Sequence, residues 1–292
     1  MSSSKYSIRE FGRPHSIDYR CYIEKDNKII SPFHDIELYP FTGRKDIINI
    51  VIEIPRYSNA KVEISMKDRY NPLKHDIKNG AVRYIKNMFP YHGYPWNYGA
   101  IPQTWENPNL ADKHTTCLGD DDPVDVCEIG EKIHPAGSVV QVKPLGVIAM
   151  IDQGETDWKI IVIDISDPMA QKLNDISDIE KLMPGFLKGT QNWLRYYKVP
   201  EGKSENEFAF NGNPKPCSFA KEIIDETHEQ WKILLKSKHL REKRACYNTT
   251  LKGTETYTEE NEANQETKKN PIYQKMEGLS SAVHRQYYVL PQ

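Results

Sequence analysis

The segment Ile47 to Ile54, IINIVIEI, constrains the fold more than any other part of the chain. Its strict alternation is incompatible with a helical stripe and predicts a strand. Ile48, Ile50, Ile52 and Ile54 fall on one face, and Asn49, Val51 and Glu53 on the other. Lys61-Val62-Glu63-Ile64 repeats the arrangement, with Lys61 and Glu63 facing one way. Val139 to Val142 and Lys159 to Ile165 add further strands, the latter nearly continuous in Ile and Val and therefore central. Turn signals at Asp26-Asn27, Thr42-Gly43, Asn79-Gly80 and Gln153-Gly154 separate the strands. Strands from Tyr19 to about Ile165 without intervening helices predict a mainly β domain, an antiparallel barrel or sandwich.

After Ile165 the pattern changes. Asp167-Pro168 opens a helical stretch with Leu173, Ile176, Ile179 and Leu182, stopped by Pro184-Gly185. A stronger helix is predicted from an N-cap at Ser218 to about Lys236, with Phe219, Ile223, Trp231 and Leu235 lining a core-facing stripe. Residues 1–238 then form a single domain with its N-terminal extension, and 239–292 a polar C-terminal extension. Within that extension, Thr254 to Asn270 is expected to be mobile or draped on the surface. The 292 residues carry 39 basic and 41 acidic side chains, which removes bulk attraction to nucleic acid or an anionic membrane. The longest apolar candidate, Val139 to Ile151, is interrupted by Gln141, Lys143, Pro144 and Gly146, so no membrane span is expected. Met1 to Lys5 is polar and leads into no apolar run, and the five cysteines form no CxxC pair. A reduced, cytosolic protein without a secretory signal is the expectation.

The chemistry concentrates in Asp120-Asp121-Asp122-Pro123-Val124-Asp125. Asp120 and Asp122 stand at i and i+2, on one side of an extended backbone, and Pro123 holds Asp122 extended so that Asp125 can fold back. Carboxylates this close repel unless protons or cations intervene. Hard oxygen ligands without His or Cys suit Mg²⁺ or Mn²⁺ rather than Zn²⁺. A second pair, Asp152 and Asp157, brackets the turn at Gly154 and can converge from the two arms of a hairpin. With Glu53 and Glu63 this is more carboxylate than one ion needs, an arrangement used with several divalent ions for phosphoryl chemistry. Lys61 and Arg83 on predicted strands, the aromatic stretch Tyr91 to Pro102, and Tyr196-Tyr197-Lys198 at a helix end add donors for a small polyanion. Arg83 lies between Val82 and Tyr84, an apolar setting.

The chain resembles the family I soluble inorganic pyrophosphatases of the eukaryotic, animal and fungal type. The family pattern D-x-D-P-x-D-[apolar] is met by Asp120 to Val126, and Glu53-Ile54-Pro55-Arg56, Asn59-Ala60-Lys61-Val62-Glu63, Pro102-Gln103-Thr104-Trp105-Glu106 and Gly154 to Lys159 agree with it. The likeness runs from about Tyr19 to Lys236. It implies an OB-like five-stranded β-barrel with flanking helices, a homodimer, and Mg²⁺-dependent hydrolysis of inorganic pyrophosphate. By position it implies that Asp120, Asp125 and Asp157 hold the first Mg²⁺ ions, and Glu63 and Asp152 those that arrive with substrate. Asp122 matches the carboxylate that takes a proton from the attacking water. Arg83, Tyr197 and Lys198 match phosphate-binding residues, with Lys61 and Lys159 lining the site. Tyr94 and Tyr98 match paired tyrosines near the metals, the first of them a proton donor. Mn²⁺ is expected to substitute for Mg²⁺, and Ca²⁺, with looser coordination, to inhibit.

Two other readings of the residues compete. An OB-like barrel bearing Arg83, Tyr84, Trp96 and Tyr98 could stack bases, but carboxylates on the same surface would repel a polyanion. A non-catalytic divalent-cation binder would have no use for the basic and phenolic residues.

Overall fold

The structure is a computed structural model that describes residues 6–267 and 281–289. Five strands close into a barrel: β1 (Ile48–Ile54), β2 (Asn97–Ala100), β3 (Asp125–Glu128), β4 (Val139–Asp152) and β5 (Glu155–Asp164). Their order around the barrel is β1-β2-β3-β5-β4, and β4 returns to β1 to close it. All neighbours are antiparallel except β3 and β5, which run parallel, Asp125 opposite Lys159. One strand serves two partners. The Val139–Val142 end of β4 pairs with β1, and an irregularity between Pro144 and Gly146 bends the rest along β5. Pro144 has no N–H to give the ladder, so the break falls there naturally.

Every residue of β1 is buried, including Asn49 and Glu53 on the face expected to be polar. That face is covered because the barrel has cores on both sides of the strand. Ile48, Ile50 and Ile52 join one cluster with Trp158, Ile160 and Ile223, while Val51 and Ile54 join another with Trp96, Trp105 and Trp193. Gly99 permits the closest approach within the barrel, since a Cβ there would lie 2.0 Å from the Val51 carbonyl oxygen. The register between β1 and β2 shifts beside it, between Tyr98 and Gly99.

A second sheet is built from Tyr6–Phe11, Arg20–Lys25, Lys28–Ile30, Val62–Ile64 and Leu73–His75. The stretch after Ile165 is not one helix. A 3₁₀ turn at Pro168–Gln171 precedes α1 (Ile176–Leu182), which has its own capping box at Asp175 and Asp178 and leaves Leu182 exposed. Helix α2 spans Phe186–Tyr196, and α3 spans Cys217–Lys236. Ser218 does not cap α3. Pro216 holds that position in extended conformation because it pairs with Gly146 of β4. Of the expected α3 stripe, Ile223 and Trp231 are buried, and Phe219 and Leu235 pack at its margins.

The C-terminal extension is docked as far as it is described. Helix α4 (Lys238–Arg241) leads to buried Ala245 and Cys246, and α5 (Glu260–Thr267) buries Ala263 against Tyr22, Ile29 and Tyr70. The remainder of the expected mobile stretch, 268–270, lies outside the described residues. Gln286–Tyr287 pairs in parallel with Asn87–Met88. All five cysteines are free. Among the described residues, no helix is long and apolar enough to cross a membrane.

Candidate active site

The site lies at one end of the barrel, where side chains of the same face converge from β2, β3 and β5. Tyr98, Asp125, Asp157 and Lys159 occupy alternate or paired positions in these strands. Lys159 is 2% exposed and is the electrostatic centre of the group. Its ammonium donates to Tyr98 at 2.8 Å and lies 2.5 Å from both Asp125 and Asp157. Burial opposes its charge, but the two carboxylates outweigh burial and raise its pKa. The Tyr98 hydroxyl donates to Asp125 as well.

The acidic loop enters from the side. It is not extended as expected: Asp121 is left-handed, with φ of 79°, a conformation Asp tolerates better than most residues. The Asp122 N–H consequently turns back to Asp120 Oδ1 at 3.0 Å. Both carboxylates still reach a cleft of about 210 Å³, lined by every residue assigned a site role from the sequence, whereas Asp121 and Tyr196, named in the same motifs, do not line it. Glu53 and Glu63 come from β1 and the second sheet, and Asp152 from the end of β4. Lys61 lies 2.6 Å from Glu63, and Lys198, past the end of α2, donates to Asp152. Tyr94 packs its ring 5.0 Å from Tyr98 and 4.9 Å from Trp193, which stacks on Tyr197. Burial raises the pKa values of Tyr94, Tyr98 and Tyr197, keeping the phenols protonated.

Two readings of individual residues change. Arg83 does not sit in an apolar setting: it pairs with Asp76 at 3.0 Å and Glu201 at 3.2 Å. Glu53 is buried, and its Oε1 accepts the Ile64 N–H at 2.7 Å. Glu106 carries more weight than its place within a matched motif suggested. Carboxylate oxygens of Glu106, Asp120 and Asp157 lie within 4.8 Å of one another. Glu106 Oε1 accepts the Trp158 N–H at 3.0 Å, while its buried Oε2 has no hydrogen-bond partner. A buried carboxylate with one unsatisfied oxygen, grouped with two more carboxylates, fits a hard divalent cation. Apart from the matched motif, the sequence shows only an acidic residue fourteen positions before Asp120, a spacing that does not suggest contact.

The family model for inorganic pyrophosphatase matches residues 50–232, a span that holds all but the first two residues of the barrel and every residue lining the cleft. The chain belongs to the inorganic pyrophosphatase family. It is 53% identical over 249 residues to the human inorganic pyrophosphatase, covering 85% of each chain. It is 51% identical over 257 residues to that of Candida albicans, covering 88% of this chain and 89% of the other. The solved structure of inorganic pyrophosphatase from Schistosoma japonicum superposes with a TM-score of 0.90 at 43% identity, covering 97% of this chain and 100% of that one. The family's OB-like β-barrel with flanking helices is the architecture described above.

For a pyrophosphatase-family site, the crowding of acids has a measurable consequence. Surrounding protein, then Glu63, pushes Asp122 up to about 8, although the residue is open to water at the cleft mouth. Burial raises Asp157 to about 6, against the pull of Lys159. Burial also raises Asp120 and Glu106, helped respectively by Asp157 and Asp120. Folded pKa values above the unfolded ones mean that the native metal-free protein binds extra protons between pH of about 4 and 8. Stability from these groups is complete at the acid end and lost as pH rises through that window. A divalent cation held by these acids would replace the protons, so saturating Mg²⁺ is expected to raise the unfolding midpoint more at pH 8 than at pH 5.5. Equal shifts at both pH values, by differential scanning calorimetry, would contradict this account.

Proposed function

We propose that this cleft carries out the family's reaction, hydrolysis of inorganic pyrophosphate to two orthophosphates, with water as the direct nucleophile and no covalent intermediate. The observation that supports it most is the meeting, in one cleft, of a carboxylate cluster with Lys61, Lys159, Lys198 and Arg83. Glu106, Asp120 and Asp157 would hold the first divalent ions, with Asp125, Glu63, Asp152 and Glu53 available for those that come with substrate. Mg²⁺ is the ion proposed, replaceable by Mn²⁺; bound there it supplies Lewis-acid stabilisation of phosphoryl charge and activates water.

The chain's own groups do the rest. Asp122, at the open lip, accepts the proton of the attacking water. Arg83, Lys198 and Tyr197 neutralise the phosphoryl oxygens, with Lys61 beside them. Tyr94, kept protonated by burial, would donate to the departing phosphate, while Tyr98 beside it is engaged with Asp125 and lines the substrate pocket. The aromatic walls of Tyr94, Trp193 and Tyr197 limit water on one side of the cleft.

The test is phosphate release from pyrophosphate with Mg²⁺, then with chelator, then with Ca²⁺. Release only with Mg²⁺ or Mn²⁺, and its inhibition by Ca²⁺, are expected. No release from folded, Mg²⁺-saturated protein would overturn the reading. Arg83→Ala should raise KM and lower kcat without altering Mg²⁺ affinity, since its partners are Asp76 and Glu201 rather than the cluster. A cytosolic homodimer is proposed with it, the pairing supported by the exposed rings of Phe89 and Tyr288, whose centroids lie 5.7 Å apart.

A further inference from the structure

Beyond residue 232, where the family match ends, the chain comes back to the acidic loop. Arg244 follows α4, and its Nε donates to Asp121 Oδ1 while Nη1 donates to the Leu240 carbonyl at 2.7 Å. The guanidinium stands 4.9 Å from the Trp105 ring centre, and the side chain is only 7% exposed. Its backbone is fixed as well, since the next N–H, that of Ala245, donates to the Met66 carbonyl at 2.7 Å. The arginine is therefore delivered to the loop by a rigid segment.

Asp121 is the residue it meets, and Asp121 has the left-handed backbone that turns Asp120 and Asp122 toward the cleft. Trp105 Nε1 donates to the same Asp121 oxygen at 3.0 Å, and the Asp121 N–H donates to the Glu106 carbonyl at 3.0 Å. An αL backbone in a non-glycine residue persists only where its surroundings over-determine it. A third adjacent carboxylate left unpaired would also be free to swing among the other two and compete for cations.

We propose that Arg244 is a positioning residue for hydrolysis. By clamping Asp121 against Trp105, it holds Asp120 and Asp122 in register and keeps the third carboxylate out of the cleft. The C-terminal extension is thereby part of the support of the catalytic loop. This inference rests on the reading of Asp120 as a metal ligand and Asp122 as the base. Arginine suits the task because its planar fork donates while its face stacks on the indole.

The experiment compares Arg244→Ala, Asp121→Ala, the double variant and Asp122→Asn in steady-state kinetics at saturating Mg²⁺. Arg244→Ala is expected to lower kcat by about tenfold, with KM moving less than about threefold, because the loop is misplaced while the phosphate-binding side chains stay where they are. The double variant should be no worse than the poorer single one, since both break the same interaction. Millimolar guanidinium should restore part of the missing kcat in Arg244→Ala and none in the parent, a readout that a merely structural role would not move. Unfolding midpoints measured with Mg²⁺ separate loss of fold from loss of position. If Arg244→Ala does not fold, Arg244→Lys, which keeps the charge without the fork, takes its place and should show the same kcat loss. Parental kcat, or fully additive effects in the double variant, would overturn the clamp. An inactive Asp122→Asn beside a fully active Arg244→Ala sinks the clamp alone, whereas an active Asp122→Asn removes the reading beneath it.

Discussion

Replacing Asp122 by asparagine is expected to cut turnover by about 10²–10⁴-fold with the fold and KM nearly unchanged. Three features make the expectation specific. The residue sits at the solvent side of the cleft, so the amide causes no packing conflict. Its backbone, not its carboxylate, makes the local hydrogen bonds, to Asp120 Oδ1 and with Glu106. Its carboxylate is pushed up to about 8 by protein crowding and by Glu63, which makes it a better proton acceptor than an ordinary carboxylate. A cation held by the cluster would oppose that rise and favour the deprotonated, proton-accepting form. Asparagine has the shape and lacks the basicity. Stopped-flow phosphate release decides the matter, and unchanged turnover would remove Asp122 from the mechanism.

Replacing Lys159 by methionine is expected to lower stability by about 3–5 kcal/mol at pH 8 when metal is absent. The ammonium is almost fully buried and lies between Asp125 and Asp157. Removing it leaves two buried carboxylates facing each other and takes away the donor to the Tyr98 hydroxyl. At pH 5.5 the loss should be smaller, because Asp157, raised to about 6 even beside the lysine, escapes by protonation. Saturating Mg²⁺ should recover part of the loss by supplying positive charge to the same carboxylates. Thermal unfolding at the two pH values, with and without Mg²⁺, measures all three effects. A variant as stable as the parent at pH 8 would show that the pair is compensated in some other way.

Much of the fold and the candidate site is legible in the sequence because both rest on short-range patterns. The alternation of Ile47–Ile54 locates β1, and the Ile and Val run near Lys159 locates β5. What alternation does not reveal is whether the second face is wet. Glu53 shares its strand face with Asn49 and Val51 and is buried, because burial on that side comes from residues far along the chain. The acidic run around Pro123 was visible as a cluster, but its backbone turns through Asp121, and what holds that turn comes from Trp105 and Arg244. Glu106 illustrates the same limit: its partnership with Asp120 and Asp157 depends on how a loop folds over β5, not on spacing. Helix starts were missed where tertiary pairing set them, as when Pro216 joined β4 and displaced Ser218 from the cap.

The buried carboxylate of Asp35 accepts from the backbone N–H groups and hydroxyls of Thr249 and Thr250, more than two hundred residues later. Asp35 leaves the ribosome well before these partners do. Until they emerge, an acid destined for the interior has only the Ser31 N–H to satisfy it. A nascent chain that contains the barrel but not yet Thr249 and Thr250 therefore leaves this acid without four of its donors. Vectorial synthesis thus makes docking of the Thr249–Thr250 segment, rather than completion of the barrel, the event that satisfies Asp35.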